Sequence, residues 1–405
     1  MFLLYSFVLV IYNWLITVAS LLGHNKAKKW VKGRKEQAGK LDNIPRWDNY
    51  RKIWIHAASY GEYEMAKPII SVLLTNPRNR LYVSFFSPSG YENIRFEDER
   101  IFKLYLPLDL QKNQRELVSL LKPDKVVFIK YEFWFNLLVV LNQAHIPYFF
   151  TSIHLNQDHY LWRWGLSPFR DTLRKAARLY CHNPGSMSIL KKQGFTNLRL
   201  FGDTRINKAL ENKAEPSIDL QWTESKPTII YGSIIPEEYQ LIDQCIKGFS
   251  DCNHILAPHD VAPQDLQKLN EVLSVPISHY NSYKQTGNDI PSTHCLVINT
   301  LGDLKYLYRN ATVAYIGAGF EKGPHNVIEP MIYGVPTITG PNIEKFPMAG
   351  YLKNKELLEV ISSFTELKST LRRCLEDRSN RSARIVSELE QLKVDLSQLI
   401  QELEE

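Results

Sequence analysis

Two glutamates follow apolar segments of the chain, in the position where parallel α/β proteins often place their catalytic side chains. Glu62 comes shortly after the apolar run 53–57, and Glu132 comes shortly after the apolar run 126–129. Both runs are typical of buried strands, and the carboxyl ends of parallel strands meet at one edge of a sheet. A carboxylate at such an edge can take a proton from a substrate hydroxyl, so Glu62 is a candidate general base.

Structural roles compete with this catalytic interpretation of the two glutamates. Glu62 lies in the first turn of a predicted helix, where the helix dipole stabilises a carboxylate and where Ser59 can act as the N-cap. Gly61 in the same turn allows close approach of the backbone. Glu132 could simply pair with Lys130, two positions earlier. From these residues alone, both interpretations stay open.

A glycine-rich turn follows the apolar run 313–316 and leads to a histidine, an asparagine and a glutamate. Glycines let backbone N–H groups approach a phosphate, and the helix start that follows favours negative charge. Asn326 and Glu329 are three residues apart, so they share one helical face and could hold the hydroxyls of a ribose. A plain turn rich in Gly and Pro would not explain these polar side chains, and the pattern favours a nucleotide site. Its members are Gly317, Gly319, Lys322, Gly323, His325, Asn326 and Glu329.

Weaker polar signals stand at the ends of other predicted strands. Gly232 and Ser233 end the first strand of the second half, His259 follows the next strand, and Arg205 lies just before a polar segment. Turns at strand ends are polar in most proteins, so each of these signals carries little weight by itself.

Short β-rich runs that alternate with helical patterns must position these side chains. Such alternation predicts parallel sheets covered by helices. Two such series predict an α/β protein with two Rossmann-like, doubly wound domains that face a ligand cleft. Neither GxGxxG nor GxxxxGK[ST] follows any of these runs, which argues against ordinary dinucleotide-binding and P-loop enzymes. The predicted strands are 53–57, 81–86, 102–106, 125–129, 148–152, 178–181, 228–231, 254–257, 295–298, 313–316 and 335–338.

The pattern divides the chain into five segments. A membrane-anchor helix is predicted over 1–23, an N-terminal Rossmann-like domain over 24–206 and a linker over 207–226. A C-terminal Rossmann-like domain follows over 227–381. Leu and Val at helical spacing over 382–405 predict an amphipathic helix that packs on the body of the protein.

The N-terminal segment 1–23 has no charged side chain and consists mostly of Leu, Val, Ile and aromatic residues. A helix of about 20 such residues spans the roughly 30 Å hydrocarbon layer of a bilayer. Lysines and an arginine follow within 26–35, which predicts that the domains lie on the cytoplasmic side. The aromatic residues also allow a helix that lies in the membrane interface. A cleaved signal peptide fits less well, because its positive charge would precede the apolar core.

Composition excludes several broad classes of protein. The chain has 405 residues, of which 44% are hydrophobic and 23% charged, and this balance excludes a mainly disordered, fibrous or polytopic membrane protein. The net charge of +6 suits an anionic substrate or membrane surface and does not point to nucleic acid. Five scattered cysteines predict reduced thiols, with neither a disulfide framework nor a zinc site.

The order of these motifs resembles that of the Kdo transferases, which attach 3-deoxy-D-manno-octulosonic acid (Kdo) to lipid A precursors. The pattern HAxSxGE ends at Glu62, and ExWxN begins at Glu132. The tetrapeptide GDTR ends at Arg205, and the block HNxxEP begins at His325. The resemblance covers residues 53–341, and an apolar N-terminal anchor is also typical of the family.

The resemblance implies an inverting, metal-independent glycosyltransferase with the GT-B fold and without a cofactor. The donor would be CMP-Kdo, bound by the domain over 227–381, and the acceptor would be a lipid A precursor, bound by the domain over 24–206. The anchor would hold the enzyme at the inner membrane with both domains in the cytoplasm.

The resemblance also implies roles for particular residues. Glu62 would be the general base, and Glu132 would be a second essential carboxylate. Asn326 and Glu329 would contact the nucleotide. The residues implied to lie near the donor phosphate are Gly232 and Ser233.

The chain departs from the family pattern at several positions. Lys130 stands where many members have the first carboxylate of ETELWPN, and His154 stands where an arginine is common. His259 lies in the sequence PHD, which lacks the arginine of the usual PRH. Lys322, Arg205 and His259 are therefore the candidates for binding the donor phosphate and the Kdo carboxylate.

Two other functions fit parts of the pattern. Another membrane-associated GT-B glycosyltransferase, with a UDP- or GDP-sugar donor, could use the same helix start at Asn326 and Glu329. A membrane-tethered binding module that has lost catalysis could keep the fold. The joint presence of these two residues with Glu62 and Glu132 favours an enzyme.

Overall fold

The computed structural model describes residues 1–41, 43–215, 220, 226–286 and 295–405. These residues divide into two compact units. The first unit contains residues 1–208 and 394–405, and the second unit contains residues 209–393. Each unit is built around its own parallel sheet.

Strands and helices alternate along most of the described chain. The strands are β1 (Arg51–His56), β2 (Asn79–Phe85), β3 (Ile101–Tyr105), β4 (Lys125–Ile129), β5 (Tyr148–Ile153), β6 (Arg178–Cys181), β7 (Leu198–Leu200), β8 (Thr228–Ile234), β9 (Asn253–Pro258), β10 (Ser278–His279), β11 (Cys295–Val297), β12 (Val313–Ile316), β13 (Thr337–Thr339) and β14 (Leu358–Val360). The helices are α1 (Phe2–Leu21), α2 (Asn25–Leu41), α3 (Tyr60–Leu73), α4 (Pro88–Asn93), α5 (Gln111–Leu121), α6 (Phe135–Gln143), α7 (Ser167–Arg174), α8 (Pro184–Lys192), α9 (Arg205–Ala214), α10 (Tyr239–Gly248), α11 (Pro263–Val272), α12 (Tyr280–Thr286), α13 (Leu304–Leu307), α14 (Ile328–Met331), α15 (Pro347–Asn354), α16 (Thr365–Glu376), α17 (Arg378–Gln391) and α18 (Ser397–Glu404).

The sheet of the first unit has the strand order β3-β2-β1-β4-β5-β6-β7. Side chains of the central strand β1 alternate between two hydrophobic cores. Trp54 packs with Phe128 in one core, whereas Ile53 and Ile55 pack with Val127 in the other. Because successive side chains of a strand point to opposite faces, these two cores show that both faces of the sheet are covered. This double coverage explains why the strands are nearly continuous apolar runs in the sequence.

The sheet of the second unit has the strand order β10-β11-β9-β8-β12-β13-β14, and its strands are also parallel. Ile229 and Tyr231 of β8 are fully buried beside Tyr315 of β12. The two parallel sheets with their helices confirm the predicted α/β class with two doubly wound halves.

Each predicted strand overlaps an observed strand, and the ends differ by up to three residues. The strands β7, β10 and β14 were not predicted. They are two or three residues long and lie at or near the edges of the sheets, so their side chains establish no recognisable pattern.

The predicted linker over 207–226 differs from the structure in its first part. Helix α9 continues through residue 214, and the boundary between the two units falls inside this helix, after Lys208. Residues 216–219 and 221–225 of the predicted linker lie outside the described residues.

The C-terminal segment 382–405 forms two helices rather than the single predicted one. Helix α17 ends at Gln391, and the chain then returns to the first unit as α18. Asn207 holds the chain within this break, because its side-chain amide bonds both the N–H and the C=O of Val394, at 2.9 and 2.8 Å. Backbone groups that are held in this way cannot continue a helix. Leu399 of α18 is fully buried in the first unit.

Helix α1 is the one helix among the described residues that is long and apolar enough to cross a membrane. All five cysteines of the chain are among the described residues, and each is buried as a free thiol.

Candidate active site

Glu62 is positioned by the turn between β1 and α3. Ser59 precedes α3 in an extended conformation, and its backbone N–H donates to Glu62 Oε2 at 3.1 Å. Ser59 is therefore the N-cap residue of α3, as the sequence predicted, and the Glu62 carboxylate forms a capping box with it. A side chain at the exposed Gly61 would meet no atom within 4 Å, so open space lies beside the turn.

Glu132 lies beside Glu62 at the end of the neighbouring strand. Strands β1 and β4 are paired in parallel, and His56 is opposite Phe128. This pairing brings the two turns together, and the carboxyl groups of Glu62 and Glu132 share a hydrogen bond. Burial raises the pKa of both groups. The pKa of Glu132 is raised further by the charge of Glu62 and by the hydrogen bond between the two groups.

Lys130 provides positive charge next to this pair. Its backbone is left-handed, with φ of 62°, and its side chain is partly buried. Burial and repulsion from Arg205 lower the pKa of Lys130, whereas attraction to Glu62 raises it. In return, Lys130 lowers the pKa of Glu62 against the effect of burial. The departure from the family pattern at position 130 thus places an amine within electrostatic range of the candidate base.

Arg205 lies in the same part of the first unit and is held by Asp203. Its guanidinium donates from Nε to Asp203 Oδ1 at 3.0 Å and from Nη2 to Oδ2 at 2.6 Å. His182 Nε2 lies 3.3 Å from the same carboxylate. Burial opposes ionisation of Asp203, but Arg205 and His182 hold its pKa well below the usual range. Two-point binding of this kind fixes the orientation of the guanidinium.

His56 at the end of β1 is fully buried behind the glutamate pair. Its Nδ1 lies 2.8 Å from Ser84 Oγ, which also accepts a bond from Trp54 Nε1 at 2.7 Å. Its Nε2 lies 4.0 Å from Glu132 Oε2 and has no hydrogen-bond partner among the described residues. Burial lowers the pKa of His56 to about 3, so the imidazole is neutral.

His154 is also neutral and is held by polar neighbours. Its Nδ1 lies 2.9 Å from Ser186 Oγ and 3.2 Å from Asn183 Nδ2. Burial lowers its pKa to about 4, and repulsion from His182 and Lys130 adds to the effect. At this position the chain therefore has a hydrogen-bonding group in place of the permanent cation common in the family.

In the second unit, Glu238 organises the glycine turn that follows β12. This buried carboxyl group accepts bonds from the Ala318 N–H at 3.0 Å and from the Tyr315 hydroxyl at 2.7 Å. A Cβ on Gly317 would lie 2.5 Å from Glu238 Oε2, and one on Gly319 would collide with the backbone of Gly340. Both glycines are therefore required by close packing within the protein.

Gly232 and Ser233 lie in the last residues of β8, next to this turn. The Gly232 carbonyl accepts a bond from the Gly317 N–H at 2.9 Å, and a Cβ on Gly232 would collide with the Tyr308 hydroxyl. Ser233 has a left-handed backbone with φ of 53°. His259 follows β9 and bonds through its N–H to the Ile234 carbonyl at 2.8 Å.

The block from Lys322 to Glu329 follows the glycine turn. Lys322 is exposed, and Gly323 has φ of 99° at a position where a Cβ would collide with the Phe346 ring. The ring of His325 stacks on that of His259, with 4.1 Å between centroids.

Asn326 and Glu329 are in contact, but they do not share a helical face as predicted, because Asn326 precedes α14. Asn326 Nδ2 donates to Glu329 Oε1 at 3.2 Å, and Asn326 Oδ1 accepts from the Ile328 N–H at 3.1 Å. The predicted helix start is the single turn α14, of four residues. Two polar side chains in contact at the surface can together hold a pair of sugar hydroxyls.

The predicted residues thus form one group in each unit. The first-unit group consists of Ser59, Gly61, Glu62, Glu132 and Arg205. The second-unit group consists of Gly232, Ser233, His259, Gly317, Gly319, Lys322, Gly323, His325, Asn326 and Glu329.

Sequence reasoning gave no role to His56, Asp203 or Glu238. His56 and Asp203 stand inside the motifs HAxSxGE and GDTR, which is the signal that could have singled them out. Glu238 carried no comparable signal, because a glutamate in the first turn of a helix is common.

The overall fold is similar to that of known enzymes that act on sugar nucleotides. UDP-GlcNAc 2-epimerase from Neisseria meningitidis matches with a TM-score of 0.57 and 12% identity, over 87% of this chain and 99% of that one. The chain is therefore an α/β protein with the GT-B fold.

Sequence comparison finds similarity to one family of glycosyltransferases. Residues 15–208 match the family model described as 3-deoxy-D-manno-octulosonic-acid transferase (kdotransferase). A curated 3-deoxy-D-manno-octulosonic acid transferase from Haemophilus influenzae is 24% identical over 81% of this chain and 80% of its own length. One from Chlamydia trachomatis is 25% identical over 82% of this chain and 80% of its own length. The chain is thus similar, over about four fifths of its length, to the Kdo transferases, which are glycosyltransferases.

Proposed function

We propose that this protein transfers Kdo from CMP-Kdo to a sugar hydroxyl of a lipid A precursor, lipid IVA, in lipopolysaccharide biosynthesis. The transfer would invert the anomeric centre and would need no metal ion. The observation that carries the proposal is the hydrogen-bonded pair of Glu62 and Glu132, with Lys130 beside it, at the carboxyl ends of β1 and β4. Similarity to the Kdo transferases supports the choice of Kdo as the transferred sugar.

Glu62 is the member of the pair that acts as general base. Lys130, the N–H groups of Ser59 and Ala58 and the bond to Glu132 all favour its ionised form. Burial and the charge of Glu62 instead favour the protonated form of Glu132. At neutral pH, Glu132 therefore holds the shared proton and orients Glu62 through a hydrogen bond.

The reaction is a single displacement. The acceptor hydroxyl oxygen forms a bond to the anomeric carbon of Kdo as its proton passes to Glu62. The bond between that carbon and the phosphate oxygen breaks, and its electron pair leaves with CMP. A single attack from the face opposite the leaving group inverts the anomeric centre.

The second unit binds the CMP part of the donor. Asn326 and Glu329 hold the ribose hydroxyls, and the phosphate lies beside the glycine turn held by Glu238. His259 and Lys322 are nearby donors for the same anion. CMP carries its charge on a single phosphate, so these groups can replace a metal ion in stabilising the leaving group.

Helix α1 attaches the enzyme to the cytoplasmic face of the inner membrane. Its length, its apolar composition and the lysines that follow it support this attachment. The acceptor lipid resides in the membrane, so attachment brings enzyme and acceptor together.

Mass spectrometry of the product tests the proposal. Purified protein is incubated with a tetraacylated lipid A precursor and with CMP-Kdo, a UDP-sugar or a GDP-sugar in separate reactions. We expect the lipid to gain the mass of Kdo with CMP-Kdo only. Turnover with a UDP- or GDP-sugar and none with CMP-Kdo would refute the proposal in favour of another GT-B transferase.

A further inference from the structure

We infer that α1 lies in the plane of the membrane surface against the first unit and does not cross the bilayer. Its exposed apolar side chains and the lysines of α2 would form one surface, which fits a bilayer with anionic headgroups. This inference rests on the membrane attachment proposed above and specifies its geometry.

The N-terminal end of α1 is docked on the first unit. Phe2 packs edge-on against Phe169 at 5.1 Å between centroids, and Tyr5 packs edge-on against Phe135 at 5.7 Å. The Tyr5 hydroxyl donates to Oδ2 of the fully buried Asp109 at 2.9 Å. In a spanning helix, this end would lie across a hydrocarbon layer of roughly 30 Å from the domain that follows the helix. Here it contacts that same domain.

The C-terminal end of α1 is held on the same unit through α2. Trp30 of α2 packs on Phe86 at 6.1 Å between centroids. Arg34 Nη2 donates to the carbonyls of Phe86 at 2.9 Å and Leu106 at 3.2 Å. Leu106 and Asp109 are three residues apart, so α2 and the start of α1 dock on the same segment of the first unit.

Burial along α1 shows that one side faces the protein over the whole length of the helix. Most of the partly buried positions recur every three or four residues, which corresponds to one helical face, and Val18 and Ala19 lie outside it. They include Phe2, Tyr5, Leu9, Asn13, Ile16 and Ser20. The other side exposes large apolar residues from one end to the other, including Leu3, Phe7, Val10, Trp14 and Leu21. A continuous apolar surface of this length calls for a nonaqueous partner.

Charge on α2 identifies that partner as an anionic lipid surface. Lys26, Lys28, Lys29, Lys32 and Lys35 are exposed on α2, directly after an uncharged α1. An apolar helix face combined with lysines is the pattern of helices that bind in the interface of anionic membranes.

An exposed tryptophan extends this surface beyond α1. Trp164 is 99% exposed, and its neighbour Gly165 lies beside the Met1 side chain. Tryptophan prefers the headgroup region of a bilayer, so its place beside the start of α1 agrees with an interfacial position for that end.

The depth of labelled residues in the bilayer distinguishes a helix α1 that lies in the plane of the membrane surface from one that crosses the bilayer. Single cysteines are introduced by Leu3→Cys, Trp14→Cys and Leu21→Cys, at exposed positions near the start, middle and end of α1. The five native cysteines are buried, so a fluorescent maleimide labels the new one selectively. The labelled full-length proteins are reconstituted in phosphatidylethanolamine and phosphatidylglycerol vesicles, and quenching by lipids brominated at different depths is measured.

We expect all three probes to report the same shallow depth. A probe at position 14 near the bilayer centre, with shallow probes at positions 3 and 21, would overturn the in-plane geometry while leaving membrane attachment intact. Failure of the wild-type protein to float with vesicles would refute the proposed attachment itself, and the in-plane geometry with it.

A second experiment tests whether the lysines of α2 contribute to binding of anionic membranes. The double variant Lys28→Glu/Lys29→Glu should bind phosphatidylglycerol vesicles about tenfold or more weakly than wild type in flotation assays. Lys345→Glu/Lys353→Glu, an equal change of charge at exposed positions of the second unit, is the matched control and should bind like wild type. Equal binding of the two double variants would overturn the role assigned to the α2 lysines.

Discussion

Glu62 and Glu132 are 70 residues apart in the chain, and their carboxyl groups share a hydrogen bond at the ends of two adjacent parallel strands. Two buried carboxyl groups in contact cannot both ionise easily, so they divide their roles. Glu62 has the cationic neighbour Lys130 and two backbone donors, and these favour its ionised form against the effect of burial. The proposed mechanism depends on this asymmetry.

Replacement of the base should abolish transfer while sparing the donor site. Glu62→Gln keeps the size of the side chain but cannot accept the hydroxyl proton. We expect kcat for Kdo transfer to fall by about 100- to 10,000-fold, with CMP binding unchanged in calorimetry. Glu64→Gln, on the same helix but paired with Lys67, is the control and should keep wild-type activity. Unchanged transfer by Glu62→Gln would refute the assignment of the base.

Replacement by glutamine should reduce transfer activity less at Glu132 than at Glu62. Glutamine resembles a protonated glutamate because it can still donate a hydrogen bond, so Glu132→Gln should retain more activity than Glu132→Ala. The pKa of Glu132 is raised by burial and by Glu62, and loss of its proton at high pH would cost activity in wild type. The alkaline limb of the pH profile for kcat/KM should therefore disappear in Glu132→Gln. Persistence of that limb would show that another group causes it.

The charge of Lys130 should determine the pH at which kcat/KM falls on the acidic side of the profile. Its positive charge lowers the pKa of Glu62, so Lys130→Gln should raise that pKa. Because the base acts when deprotonated, the acidic limb should move to higher pH. Lys122→Gln is a matched control, since Lys122 also has a left-handed backbone in the first unit but is exposed. An acidic limb that stays in place in Lys130→Gln would contradict the proposed coupling.

Gly317 should accept no larger residue. A Cβ at this position would lie 2.5 Å from Glu238 Oε2 and 2.7 Å from the Ile234 Cα, so Gly317→Ala must displace the turn. We expect a loss of about 1–3 kcal/mol in the free energy of unfolding, measured with urea, together with weaker CMP binding. Gly350→Ala in α15, where a Cβ would meet no atom within 4 Å, should leave both unchanged or raise the stability slightly. Wild-type stability and CMP affinity in Gly317→Ala would refute the packing argument.

The strands and the residue motifs could be predicted from the sequence because their signals are local. Strand β4 is a continuous apolar run since both of its faces are buried. The motif also identified Asn326 and Glu329, which are in contact, although Asn326 precedes the helix. The motifs around Glu62 and Glu132 likewise identified the two carboxylates.

Only the tertiary structure decided which distant residues meet. Glu62 and Glu132 are in contact because β1 lies next to β4, and this strand order is set by packing between segments far apart in the chain. The same applies to His56 behind Glu132, to Asn207 at Val394, and to Tyr5 of α1 at the buried Asp109. The periodicity of apolar side chains predicts whether a residue is buried. It does not predict which distant residue lies next to it, because the contacts between distant residues depend on the free energy of the whole packed unit.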